Sequence, residues 1–121
     1  MEIADLSEPL AERGPGYLLT ASADGQVKAV TVEPELRDGV LHCPPSGGSA
    51  RNLEAHASAT LLFPPPVARG YTLLIDGTAA ATDDGIVFTP AAAVLHRPAA
   101  HADGPVADTG DGCGHDCAPV T

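Results

Sequence analysis

Toward its C-terminus the chain carries Cys113, His115 and Cys117 in the run Asp111-Gly112-Cys113-Gly114-His115-Asp116-Cys117. Two thiols around an imidazole, with carboxylates beside them, are soft and borderline ligands suited to zinc or another transition metal. Their alternate spacing strains a single chelate, so these three residues do not readily close a tetrahedral site unaided. The same thiols could instead form a disulfide or act as redox groups, although a reducing cytosol keeps most thiols reduced. A segment with no fixed role is a further reading of the same residues. His42, His96 and the Cys and His residues of the tail are also candidate axial ligands for haem iron. No nucleophile–base–acid constellation stands out: the chain has no Gly-x-Ser-x-Gly elbow, no HExxH and no Walker loop. Catalysis would therefore have to come from a cofactor, with the protein supplying orientation and electrostatics.

Charge narrows the partners. Six Lys and Arg residues face sixteen Asp and Glu, a formal charge of −10. In the sequence Arg13, Lys28, Arg37, Arg51, Arg69 and Arg97 stand singly. Nucleic-acid binding draws much of its free energy from clustered basic side chains, so DNA, RNA and anionic membranes are poor partners. Each remaining cation is correspondingly informative about an anionic ligand. The longest apolar run falls far short of the roughly 20 residues that cross a bilayer. Met1-Glu2-Ile3-Ala4-Asp5 lacks the basic start and apolar middle of a signal peptide, which makes the cytoplasm the expected location. A chain of 121 residues holds one core. With two Tyr, two Phe and no Trp that core is thin, and a second copy is expected to complete the packing.

The elements that must position these groups are mostly strands. Ile3, Leu6 and Leu10 recur at helical spacing and predict a short amphipathic helix over residues 3–13, stopped by Gly14-Pro15-Gly16. A strand at 17–22 and a second around 27–32 flank Ala23-Asp24-Gly25, a hairpin signal. Pro34 to Asp38 reads as a loop, residues 40–43 as strand three, and Pro44-Pro45-Ser46-Gly47-Gly48 as another loop. Ser49 is placed to cap a short helix through about His56. Strand four covers 59–63. A long strand five covers 70–82, where Gly77 predicts a bulge. After Asp83-Asp84-Gly85, strand six runs through about 86–96, bent near Pro90. This predicts a mostly β domain over 1–98, a six-stranded antiparallel split β-barrel with one or two short helices. Residues 99–121, rich in Ala, Asp, Gly and Pro, are expected to form a flexible tail.

The segment Leu41-His42-Cys43-Pro44-Pro45-Ser46-Gly47-Gly48-Ser49-Ala50-Arg51-Asn52-Leu53-Glu54, followed by Ala59-Thr60-Leu61-Leu62-Phe63-Pro64 and by Gly70-Tyr71-Thr72-Leu73-Leu74-Ile75-Asp76-Gly77-Thr78-Ala79, resembles the pyridoxamine 5′-phosphate oxidase-like family of flavin-binding split barrels. The resemblance spans roughly residues 5–98. It implies a homodimer with two cofactor sites at the subunit interface, holding FMN or a deazaflavin and transferring hydride or electrons to a small-molecule substrate. It also implies that Ser46, Gly47, Gly48, Ser49 and Asn52 hold the cofactor phosphate. Backbone N–H groups at a helix start, with a hydroxyl and a cation, do make an anion site. Lys28, Val30 and Thr31 would flank the ring from one strand, and His42 and Cys43 from another. Where the family usually has two adjacent basic residues this chain has Gly48 and Ser49, and Arg51 is the available substitute. Arg97 is the candidate cation from the second subunit.

Each candidate has a plainer alternative. Arg51 could be a solvated helix charge paired with Glu54 or Glu33, and Lys28 an ordinary edge charge. His42 could be a half-exposed strand residue, and His96-Arg97 a polar strand end. A non-enzymatic protein of the same fold, binding haem or another ligand, is the competing function; a metal- or redox-responsive role of the tail is the third.

Overall fold

The computed structural model describes residues 2–98. The expected tail and its Cys113, His115 and Cys117 lie outside the described residues. A 3-10 turn (Ile3–Asp5) and helix α1 (Ser7–Ala11) lead into β1 (Gly16–Ala21), β2 (Val27–Val32), β3 (Glu35–Arg37) and β4 (Val40–Cys43). Helix α2 (Gly47–Ala55) then precedes β5 (Ser58–Phe63), β6 (Thr72–Thr82) and β7 (Gly85–His96). The strands form one antiparallel sheet of seven in the order β2-β1-β5-β6-β7-β4-β3.

Seven strands replace the expected six because Glu35–Arg37, read from sequence as loop, pairs with β4. Asp38 and Gly39 take positive φ of 53° and 83° between the partners Arg37 and Val40. That two-residue turn needs a strand on each side. The single amphipathic helix expected over 3–13 is likewise divided into the 3-10 turn and α1.

β2 and β3 are the two edges of the sheet, yet only Glu33 and Pro34 separate them in the chain. Three Cα-to-Cα steps span at most about 11 Å, so the edges converge at that corner without hydrogen-bonding as neighbours. The sheet is therefore curled into a split barrel rather than closed into a full one.

Alternation puts Leu18, Leu61, Leu73, Ile75, Ile86 and Phe88 inside the curl. Phe63 joins them, so both phenylalanines of the chain serve the core. Leu6 from the N-terminal turn and Leu53 from α2 are buried against the same cluster. Burying each such side chain contributes about 1.5–3 kcal/mol. In the β6–β7 ladder Asp76 faces Ala92 and Gly77 faces Pro90, leaving Ala91 as the extra residue of a bulge. Gly77 fits there because a Cβ would lie 2.1 Å from the Thr89 carbonyl oxygen.

Candidate functional site

The loop before α2 is built around serines. Ser46 is the N-cap: its Oγ accepts from the Ser49 backbone N–H at 3.5 Å and lies 3.1 Å from the Ser49 hydroxyl. The expected cap, Ser49, is instead inside the helix and fully buried, because the helix begins two residues before it. Asn52 donates its amide to the Thr20 hydroxyl at 3.0 Å, tying α2 to β1 across a nearly dry contact in which Thr20 is 3% exposed. Lys28 has the inward parity of Val30 and Val32, and its side chain crosses the open end of the curl to α2. A Cβ on Gly48 would meet Lys28 Cε at 2.6 Å and Nζ at 3.1 Å. Gly48 thus leaves room for an ammonium, and strand β2 supplies in space a cation that the loop lacks in sequence. Arg51 is exposed on α2.

The remaining candidates separate. Thr31 faces outward opposite Tyr17, and Val30 packs against the core. Cys43 is buried, and burial pushes its thiol from 9.0 up to about 11, so it is neither a thiolate nor a ready ligand at neutral pH. His42 points to the opposite face, across from Glu35 and Val87. It lines a cavity of about 340 Å³ with Glu33, Glu35, Arg37 and Asp84. Three carboxylates in one small cavity disfavour an anionic group there. No group of three or more His, Cys, Asp or Glu suited to a metal occurs among the described residues.

A larger concavity lies on the outward face of β2-β1-β5-β6. It measures about 610 Å³, and Leu19, Ala21, Val27, Thr60 and Asp76 are among its lining residues, with Ala91 on β7. Small side chains and the bulge hollow out the sheet here, and Thr60 donates to the Asp76 carboxylate at 2.6 Å. Beside it, register aligns Tyr17, Leu62, Leu74 and Val94 in one row across four strands, with Tyr17 and Val94 40% and 46% exposed. The sequence reading missed both features, since neither is a local motif. Alternation marks each strand's outward residues, but only the cross-strand register shows that they line up.

Cations that look scattered in sequence also converge. The Arg97 guanidinium stacks 4.8 Å from the centre of the Tyr71 ring and donates to the Arg69 carbonyl at 3.4 Å. Arg13, its side chain only 5% exposed, donates to the Tyr71 carbonyl at 2.7 Å and to that of Pro9 at 3.0 Å. Three of the six basic residues therefore gather where β6 begins and β7 ends. Among the described residues neither Arg69 nor Arg97 forms an ion pair.

A curled antiparallel sheet with a capped helix spanning its open end defines a split-barrel protein. Its fold matches that of HupZ from Group A Streptococcus, at a TM-score of 0.65 and 14% identity, over 89% of this chain and 100% of HupZ. HutZ, the heme storage protein from Vibrio cholerae, matches at a TM-score of 0.56 and 14% identity, over 78% of this chain and 95% of its own. No protein-family profile matches the chain. By sequence it belongs to one family with the uncharacterized proteins Mb0449c of Mycobacterium bovis and MT0457 of Mycobacterium tuberculosis. Each is 36% identical over 134 aligned positions, covering 97% of this chain and 92% of the relative. No helix among the described residues is long and apolar enough to cross a membrane.

Proposed function

We propose that this protein is a non-enzymatic carrier of a planar, largely apolar cofactor, with haem as the ligand and a homodimer as the binding unit. The observation that carries this reading is the outward groove of about 610 Å³, bordered by the apolar row that begins at Tyr17. Such a bed suits the face of a macrocycle, and the fold shared with the heme storage protein HutZ supports the choice of haem. Asp76 is the one carboxylate among the described residues that line the groove, and it accepts a hydrogen bond from Thr60. None of the described residues that line the groove is a histidine or a cysteine. His96 shares the outward face yet pairs with Thr72, four residues along the strand from Asp76, or about 13 Å. Iron ligation would then fall to a second copy or to the segment after residue 98, where His101, Cys113, His115 and Cys117 lie.

A flavin-dependent oxidoreductase of the pyridoxamine 5′-phosphate oxidase-like kind is the second reading, and one observation favours it. Lys28 reaches over Gly48 beside the Ser46 cap, and these groups together could hold a phosphate. Zinc at Cys113, His115 and Cys117, and a cytoplasmic setting, are proposals resting on sequence alone. The test of the main reading is a haem titration of the full chain beside the Ser58→Trp variant, which fills the groove from an exposed strand position. A Soret band that develops to saturation in the parent and fails in the folded variant supports it. Equal binding by both removes the groove from the site.

A further inference from the structure

The β6–β7 hairpin is electrically asymmetric. Its turn is Asp83-Asp84, both exposed between the partners Thr82 and Gly85. Its root, about 36 Å away along the eleven residues of β6, is the corner of Arg69, Tyr71 and Arg97. Between them the outward face carries Leu74 and Val94 toward the root, the groove near the middle, and Ala80 and Val87 toward the tip.

We propose that a second copy of this chain docks on this face with its hairpin running antiparallel, so that each acidic turn meets the other copy's arginine root. This rests on the homodimer reading above and specifies its geometry. Two sheets packed face to face are related by a two-fold axis lying in the interface. An axis along the strands superposes tip on tip and root on root, two like-charge encounters. An axis across the strands, near Gly77, pairs opposite ends twice. Opposed charges select the second arrangement and suppress the first.

Packing agrees with the charges. About an axis at Gly77, Leu74 stands as far on one side as Ala80 does on the other. Leu74 of one copy therefore meets the smaller Ala80 of the second, while Val94 meets Val87. The groove lies at the axis, enclosed by both chains. β6 and β7, the strands that extend well to both sides of Gly77, cover about 360 Å² per copy at about 4.8 Å spacing, and the shorter β1, β2 and β5 add to it near the axis. Arg69 and Arg97, which form no ion pair among the described residues, also gain acidic partners.

The test is a charge exchange read by sedimentation equilibrium of the full chain. Arg69→Glu with Arg97→Glu should weaken self-association about tenfold or more, since symmetry counts every lost contact twice. Asp83→Lys with Asp84→Lys should do the same, and combining all four should restore it toward the parent value. Weakening by both pairs without restoration in the combination overturns the antiparallel pairing. A pair that changes nothing overturns it as well. A parent protein that stays monomeric at every concentration rejects the homodimer reading itself, and the proposal with it. Circular dichroism on each variant separates loss of association from loss of fold.

Discussion

Two Gly→Ala substitutions should move stability in opposite directions, for reasons visible in their surroundings. At Gly77 a Cβ would lie 2.1 Å from the Thr89 carbonyl oxygen and 3.0 Å from both Phe88 Cε1 and Pro90 Cα. The first and last of these atoms are backbone of the paired strand, so β7 must retreat by about 0.9 Å to reach a tolerable 3.0 Å. That displaces the bulge, weakens the flanking ladder bonds at about 1 kcal/mol each, and shifts a fully buried phenylalanine. Gly77→Ala is expected to cost about 2–4 kcal/mol. At Gly48 the near atoms are the last carbons and the amine of Lys28, an exposed and flexible side chain. Lys28 can swing aside, and alanine in a helix is favoured over glycine by about 0.8–1.0 kcal/mol. Gly48→Ala should therefore be neutral to stabilising by up to about 1 kcal/mol. Urea denaturation followed by circular dichroism measures both, with thermal midpoints moving about 4–8 °C per kcal/mol in a domain of this size. Gly77→Ala within about 0.5 kcal/mol of the parent, or both variants shifting the same way, would refute the close strand approach at the bulge.

Asn52→Ala should destabilise by about 1–2 kcal/mol, because it leaves the buried Thr20 hydroxyl without its donor; Asn52→Ala with Thr20→Val should recover part of that loss in a double-mutant cycle. Phe88→Ala, at a fully buried site, should cost about 3–5 kcal/mol in the same denaturation assay. The raised thiol of Cys43 predicts a pH effect of definite sign. Below pH 9.0 both folded and unfolded states keep the proton and the group contributes no slope. Between 9.0 and about 11 the unfolded state loses it first, so stability falls with pH by up to about 2–3 kcal/mol, and the fall ends above 11. Comparing the pH dependence of parent and Cys43→Ala isolates it; identical slopes over that window would show that the thiol is not held protonated by burial.

The legible part of the fold was whatever short-range signals encode. Alternating apolar residues, the Asp-Gly turns and Gly77 gave the strands and the bulge within a few residues. β3 escaped because three residues with Pro34 before them hold too little pattern, although Asp38-Gly39 demanded a partner strand. The sequence points to Ser49 as the helix cap where the structure has Ser46, because both serines suit the position and burial of Ser49 against the barrel decides between them. Of the candidate site, Ser46, Gly47, Gly48, Ser49 and Lys28 do assemble, although nothing local in the sequence joins residue 28 to residue 48. The arginine corner, the apolar row and the groove were invisible for the same reason: each is made by register across strands distant in the chain.

The central claim is that the outward groove holds a planar apolar cofactor, and absorbance titration of the purified full-length chain with haem, beside Ser58→Trp, tests it most directly. A saturable Soret band is expected in the parent and its loss in the folded variant. A parent that binds no haem, or a variant that binds it equally well, would contradict the account.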